Sequence, residues 1–471
     1  MKSIIFKIVS IFIICIISYV LAEYNFNYAS FSLLLIGCIL LIYNAYLLTR
    51  NYFSISVIFA IFFLLYGLSG PFAVLFTPGR LPSPFHPPYQ VGAWLQAVNL
   101  ALAGCALGFF WVSVKTKNIL WHIPLELNNE LNNKISSNSF LIASQFLITI
   151  ASIISWVNII RIGGIKYPTR SLLLKEIGEL FLTPPDAHWA YAGMGALGLW
   201  WAKTTKNHNT KKQLIISLIL FLPYIMYNIL IGERGSLFSA ILVFFVGYSL
   251  IKPFQVLSIR VIIIAIIVYI INAFIMAHRT YIFRYLSNEG SFMIDINAFY
   301  LRLNPGFIEF GNPFGTFSMY INNWDLPPLY GQTYLTDLLT LIPRWLYPGE
   351  KPKTISSLFH EQIYGSEFRR GYFTLGAGVG SSAIAVAHAN FREPGIFLVY
   401  FLISSLIVAL ERKVRVYPNL FWLLFYVTIA PAAVVWNRVS HIYYYLFYGI
   451  IAIFVFEFII TIYPKGDIKL K

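Results

Sequence analysis

Charge is scarce in this sequence. Asp, Glu, Lys and Arg make up 11% of its 471 residues, against 58% hydrophobic ones. With a mean hydropathy of +0.71, too little polar surface remains to cover a water-soluble globule. Cysteine is scarcer still. Cys15, Cys38 and Cys105 all lie inside apolar runs without metal-ligand spacing, which excludes a disulfide framework and a zinc site. Several reactive-site signatures are missing as well: there is no Asp-x-Asp pair, His-Glu-x-x-His, Gly-x-x-x-x-Gly-Lys-Ser/Thr or Gly-x-Ser-x-Gly. Metal-nucleotide-sugar chemistry, zinc hydrolysis, ATP hydrolysis and a serine-hydrolase elbow therefore lack their residues. No metal and no other cofactor is expected, and no repeat of fixed period or low-complexity tract occurs.

What is present is a series of apolar runs. A helix needs about 20 apolar residues to cross a bilayer. Twelve such runs lie near 4–22, 29–48, 53–76, 92–114, 140–160, 188–202, 213–231, 236–251, 259–277, 394–410, 418–436 and 440–462. The expected fold class is all-α, a polytopic membrane protein with about twelve transmembrane helices, the first a retained anchor. The net charge of +15 does not point to nucleic acid, because most cations sit in short segments between these runs. Alternate segments carry Lys2, Arg50, Lys115, Lys117, Lys203, Lys206, Lys211, Lys212, Lys252, Arg260, Arg412, Lys413 and Arg415, which assigns them to the cytoplasm. An even number of crossings places both termini on that side.

The opposite set of loops includes residues 278–393, too polar and too punctuated by Gly and Pro to cross a bilayer and far longer than an ordinary connection. The chain thus divides into residues 1–277 with nine transmembrane helices, 278–393 as a large extracytoplasmic loop subdomain, and 394–471 with three more helices and a cytoplasmic tail. Within the loop, 334–341 reads as an amphipathic helix stopped by Pro343.

The outer loops carry an unexpected set of cations: Arg234, Arg279, Arg284, Arg302, Arg344, Arg369, Arg370, Arg392 and Arg438. The planar guanidinium fork matches phosphate oxygens, so as a set these arginines suit a lipid-linked phosphate or pyrophosphate. Ion pairing with Glu289, Glu350, Glu361, Glu367 and Glu393 is the plainer use of any one of them. Arg234 sits in a Gly-Glu-Arg-Gly turn between two helices, at the membrane edge. The stretch from Leu341 to Pro352 combines prolines, the aromatic faces of Trp345 and Tyr347, and the cations Arg344 and Lys351. His388, just before the helix expected from Pro394, offers an imidazole as proton acceptor.

Two of these motifs carry a family resemblance. Gly232-Glu233-Arg234-Gly235-Ser236-Leu237 resembles the small-x-Arg-Gly turn of the bacterial O-antigen polymerases, the oligosaccharide repeat-unit polymerase family. Ile342-Pro343-Arg344-Trp345-Leu346-Tyr347-Pro348-Gly349-Glu350-Lys351-Pro352 resembles their Pro-Arg-x-x-Trp-Pro-x-Lys-Pro stretch, with Tyr347 in place of the usual Trp and one extra residue before Lys351. His388-Ala389-Asn390-Phe391 stands where the family often has Tyr-x-Asn-Phe, and Val386 where it has Glu; the His-x-Asn order is similar to the related O-antigen ligases. The resemblance implies a metal-independent glycosyltransferase in the bacterial inner membrane with its site facing the periplasm. Such an enzyme moves a growing glycan from polyprenyl pyrophosphate onto a lipid-linked repeat unit. Its implied partners are the donor and acceptor lipid-linked oligosaccharides, the lipid bilayer and a chain-length regulator protein, with no nucleic acid. The implied catalytic residues are Arg234, Arg344 and His388. Substrate binding would fall to Arg279, Arg284, Lys351, Arg369, Arg370, Trp345 and Tyr372, with Trp324 as a further sugar-stacking face. Alternatives are a ligase that transfers glycan to lipid A core, a lipid-linked oligosaccharide flippase, and a structural partner of an assembly complex.

Overall fold

The computed structural model describes residues 2–76, 88–114, 137–161, 188–204, 210–231, 234–251, 293–303, 310–339 except 325, 382–416, 419–437 and 443–462, with scattered single positions between 263 and 278 and between 342 and 358. These residues are helical nearly throughout, and no strand occurs among them. The helices are α1 (Lys2–Glu23), α2 (Asn27–Thr49), α3 (Ile55–Phe76), α4 (Val91–Val114), α5 (Ser137–Arg161), α6 (His188–Thr204), α7 (Thr210–Ile231), α8 (Arg234–Ile251), α9 (Ile296–Leu303), α10 (Asn312–Asn323), α11 (Gln332–Leu339), α12 (Ala383–Val416), α13 (Leu420–Trp436) and α14 (Tyr443–Ile462). In hydrocarbon each backbone N–H and C=O must be satisfied internally, which is why long apolar runs resolve into helices.

Five helices among the described residues are long and apolar enough to cross a membrane: Asn27–Thr49, Ile55–Phe76, Val91–Val112, Ser139–Val157 and Ala383–Val416. Shorter apolar helices lie at Ile8–Glu23, Ile215–Asn228, Gly235–Leu250, Leu420–Trp436 and Leu446–Ile462. Large apolar side chains point outward from many of them, including Ile13, Ile16, Ile39, Leu402, Leu406 and Phe458. The interior meanwhile collects small and polar groups such as Ser18, Ser30 and Asn99. Apolar side chains thus line the outside of the helices as well as the core, the surface a lipid solvent selects, and this marks a membrane-embedded all-α protein. The run expected at 259–277 falls largely outside the described residues.

Helices α1, α2, α3, α4, α10 and α12 pack as one group, and α5, α6, α7, α8 and α14 as a second; α13 touches both through α3, α8, α12 and α14. The closest pair is α4 with α12. A Cβ on Gly104 would run into the Phe397 carbonyl and one on Gly108 into the Ser404 hydroxyl, so this Gly-x-x-x-Gly stripe lets the two backbones touch. A buried polar knot ties α1, α2 and α4: Asn99 Nδ2 donates to Ser18 Oγ at 3.0 Å, and Ser18 Oγ donates to the Ser30 carbonyl at 2.9 Å.

The bundle has two unlike ends. One carries the α1–α2 turn at Asn25, which takes a left-handed φ of 63°, together with the start of α4, α10, α11 and the first turns of α12. The opposite end carries the α2–α3 turn. There Asn51 Nδ2 donates to Ser249 Oγ at 3.0 Å, which fixes the last turn of α8 beside it.

Helix α12 begins at Ala383, eleven residues before the start expected at Pro394, and is broken at Arg392, whose φ and ψ are 58° and −153°. Pro394 has no N–H, so the Asn390 carbonyl cannot receive its helical bond. It accepts from Tyr330 N–H at 3.0 Å instead, and the Ala389 carbonyl accepts from Leu329 N–H at 3.1 Å. The α10–α11 linker is thereby grafted onto the break. Helix α11 occupies the place where an amphipathic helix was expected, at Gln332–Leu339. Helix α10, from the middle of the long loop, buries Phe314, Phe317 and Tyr320 in the bundle core with α3, α4 and α12.

Candidate functional site

Helix α10 carries Phe317 and Tyr320, with Trp324 as its C-cap, at helical spacing on one face, and that face meets the arm of α12 before its break. The result is a polar relay. Tyr320 Oη lies 2.9 Å from His388 Nδ1, and His388 Nε2 lies 3.3 Å from Glu393 Oε1. Phe317 stands edge-on to the imidazole with ring centroids 6.0 Å apart, and Trp324 packs on Tyr320 at 5.0 Å. The relay runs from inside to outside: Tyr320 is buried, the His388 side chain is 11% exposed and that of Glu393 60%.

Protonation follows from the partners. Burial pushes the Tyr320 phenol up to about 12, with the nearby Arg392 guanidinium acting the other way. The phenol therefore keeps its proton and donates it to Nδ1, while the Glu393 carboxylate, an acceptor only, takes the Nε2–H bond. A neutral imidazole held in this tautomer has both nitrogens engaged, with the exposed carboxylate of Glu393 on its Nε2 side. Arg392 donates from Nη2 to the Leu326 carbonyl at 3.4 Å, which holds its guanidinium near the relay.

Asn390 locks the arm. Its Nδ2 donates to Thr333 Oγ1 at 2.7 Å and to the Val386 carbonyl at 2.8 Å, and its Oδ1 accepts from Gly331 N–H at 2.9 Å. Gly331 has a φ of 86°, within the left-handed region that glycine alone enters freely. At the start of α4, Gln90 Nε2 donates to Asn322 Oδ1 at 2.6 Å and Gln90 N–H donates to Ser318 Oγ at 3.1 Å. Helix α10 is thus held from both sides.

Of the residues singled out from the sequence, His388 lies at the centre of this relay. Arg234 opens α8; because Ser249 of that helix meets Asn51 at the opposite end, Arg234 begins α8 at the same end as His388. Trp324 flanks Tyr320. Arg279, Arg284, Arg344, Trp345, Lys351, Arg369, Arg370 and Tyr372 lie outside the described residues. The partners Tyr320 and Glu393 were not singled out as site residues. Glu393 had been set against the arginines, whereas the structure places it on His388. A signal for Tyr320 exists in the Phe314, Phe317, Tyr320 spacing of three, a helical stripe inside a stretch read as loop. Among the described residues no group of three or more His, Cys, Asp or Glu side chains is placed to hold a metal ion. Comparison with family models, with curated proteins and with solved structures finds no match to this chain.

Proposed function

We propose that this protein is a membrane glycosyltransferase that polymerises lipid-linked oligosaccharide repeat units, with the Tyr320–His388–Glu393 end of the bundle as its working face. The observation that carries the reading is the convergence at one end of the His388 relay, Arg392 and the helix start bearing Arg234. The opposite end holds Arg50, Arg412, Lys413 and Arg415. By the positive-inside rule the site end then faces away from the cytosol, which in the bacterial inner membrane is the periplasm.

In this reading the acceptor hydroxyl attacks the anomeric carbon of the donor sugar. A new glycosidic C–O bond forms, the bond to polyprenyl pyrophosphate breaks, and the hydroxyl proton passes to the His388–Glu393 pair. Arg234 and Arg344 stabilise charge on the departing pyrophosphate. Arg279, Arg284, Lys351, Arg369 and Arg370 would supply further positive charge for the anionic donor and acceptor, and Trp345 and Tyr372 would offer sugar-stacking faces. A chain-length regulator would act on the same enzyme from outside this site. The ligase alternative draws on the His388-Ala389-Asn390 order, and product length separates the two, since a ligase adds no repeat units.

The test is reconstitution of purified protein in nanodiscs with a defined lipid-linked repeat unit. Wild type yields a ladder of longer glycans. Arg234→Ala and Arg344→Ala insert normally and lose about 10²–10³-fold in polymer formation. Normal long-chain product from both variants rejects the pyrophosphate assignment, normal turnover by His388→Gln removes that residue as base, and a tag-accessibility map placing 278–393 in the cytosol removes the reading altogether.

A further inference from the structure

Beside the relay, the α1–α2 turn and the start of α4 enclose an open cleft of about 370 Å³ whose polar lining is Glu23, Asn25, Asn27, Tyr89, Gln90 and Gln96. Its size falls within the about 300–1,000 Å³ of small-molecule sites. A cleft so rich in amides between apolar helices needs an explanation. Asn27 Oδ1 is fully buried and has no hydrogen-bond partner among the described residues, a cost of about 1–3 kcal/mol that a bound donor would remove. The floor is Gly92, where a Cβ would stand 3.1 Å from the Ala22 carbonyl and 3.5 Å from Asn27 Oδ1; with no side chain there, a turn of the Asn27 amide is enough to bring the buried acceptor to a ligand in the cleft.

The chemistry of the lining selects its ligand. Among the described residues that line it the one formal charge is the carboxylate of Glu23, which disfavours phosphate and pyrophosphate. Amide side chains present a donor and an acceptor together, the complement of vicinal hydroxyls, and Tyr89 adds an aromatic ring. The cleft also joins the relay. Gln90 is bonded to Asn322 on the helix that carries Tyr320, and Tyr19 lies within electrostatic reach of both Glu23 and Glu393. We infer that this cleft is a binding site for an uncharged, hydroxyl-rich sugar, the acceptor glycan of the polymerisation proposed above, seated beside the His388–Glu393 pair. The acceptor role rests on that reading; the sugar-binding claim does not.

The experiment uses full-length protein in phosphatidylcholine nanodiscs on an array of uncharged oligosaccharides, followed by calorimetric titration of the tightest member. Asn27→Ala and Gln96→Leu are each expected to weaken binding about tenfold, with unchanged size-exclusion profiles, and inorganic pyrophosphate is expected not to compete. Gln96 makes no hydrogen bond to the described residues, so its variant keeps the test sound should Asn27→Ala disturb the start of α2. No array member bound above empty nanodiscs, equal binding by both variants, or displacement by pyrophosphate each overturns the inference. Cleft-dependent binding without polymer formation upholds the sugar site and removes the polymerase reading. Polymer formation with an unchanged acceptor KM in both variants does the reverse.

Discussion

Helix α12 carries a glutamate near each end, and the two are used in opposite ways. Glu411 is 1% exposed and completely engaged: Ser56 N–H and Oγ donate to it at 3.0 and 2.6 Å and Tyr426 Oη at 2.8 Å. Tyr426 in turn accepts from Ile55 N–H at 3.0 Å. The carboxyl therefore caps the N-terminus of α3 and joins three helices. Glu393 makes one long side-chain contact, to His388 at 3.3 Å, and is 60% exposed. The same side chain serves as a fastening where every acceptor is filled and as an available group where most are not, so unfilled hydrogen-bonding capacity separates the proposed working end from the structural one.

Four substitutions test that contrast in order of expected cost. Glu411→Ala strands two hydroxyls and a helix N–H in a closed site and is expected to lower stability by about 3–5 kcal/mol, read as a lower Tm in detergent and a poorer membrane yield. Asn390→Ala releases the arm from Thr333 and Gly331 and should cost about 2 kcal/mol, with faster hydrogen exchange at Gly331 than in wild type. Tyr320→Phe removes a single hydroxyl and should cost about 1 kcal/mol; an equal or larger loss than for Glu411→Ala would break the distinction between the ends. Glu393→Gln should change stability by less than about 0.5 kcal/mol while reducing polymer formation about 10²-fold. A Glu393→Gln protein that is both stable and fully active would make the exposed glutamate an ordinary surface residue.

Helix positions were legible wherever an uninterrupted apolar run met the length a bilayer requires, as at α2, α3, α4 and α5. The start of α12 was not, because Pro394 reads as a first helical residue when it is in fact the cause of a break inside a longer helix. Residues 312–323 were hidden by their Gly and Pro punctuation, although their aromatic spacing is helical. At the site, His388 stood out by its chemistry. Its contact with Glu393, five positions on, depends on the left-handed Arg392 and could not be read from helical spacing. Glu411 lay at the edge of an apolar run taken to end at 410, and its partners are 355 and 15 positions away. Such long-range satisfaction leaves no local trace.

The break at Arg392 has a mechanical meaning. Below it α12 is pinned against α4 through Gly104 and Gly108 and moored by Glu411. Above it the short segment bearing His388 is tied to the α10–α11 linker. A displacement of the α10–α11 linker would therefore carry that segment, and His388 with it, about the Arg392–Pro394 pivot and leave the membrane-crossing shaft at rest.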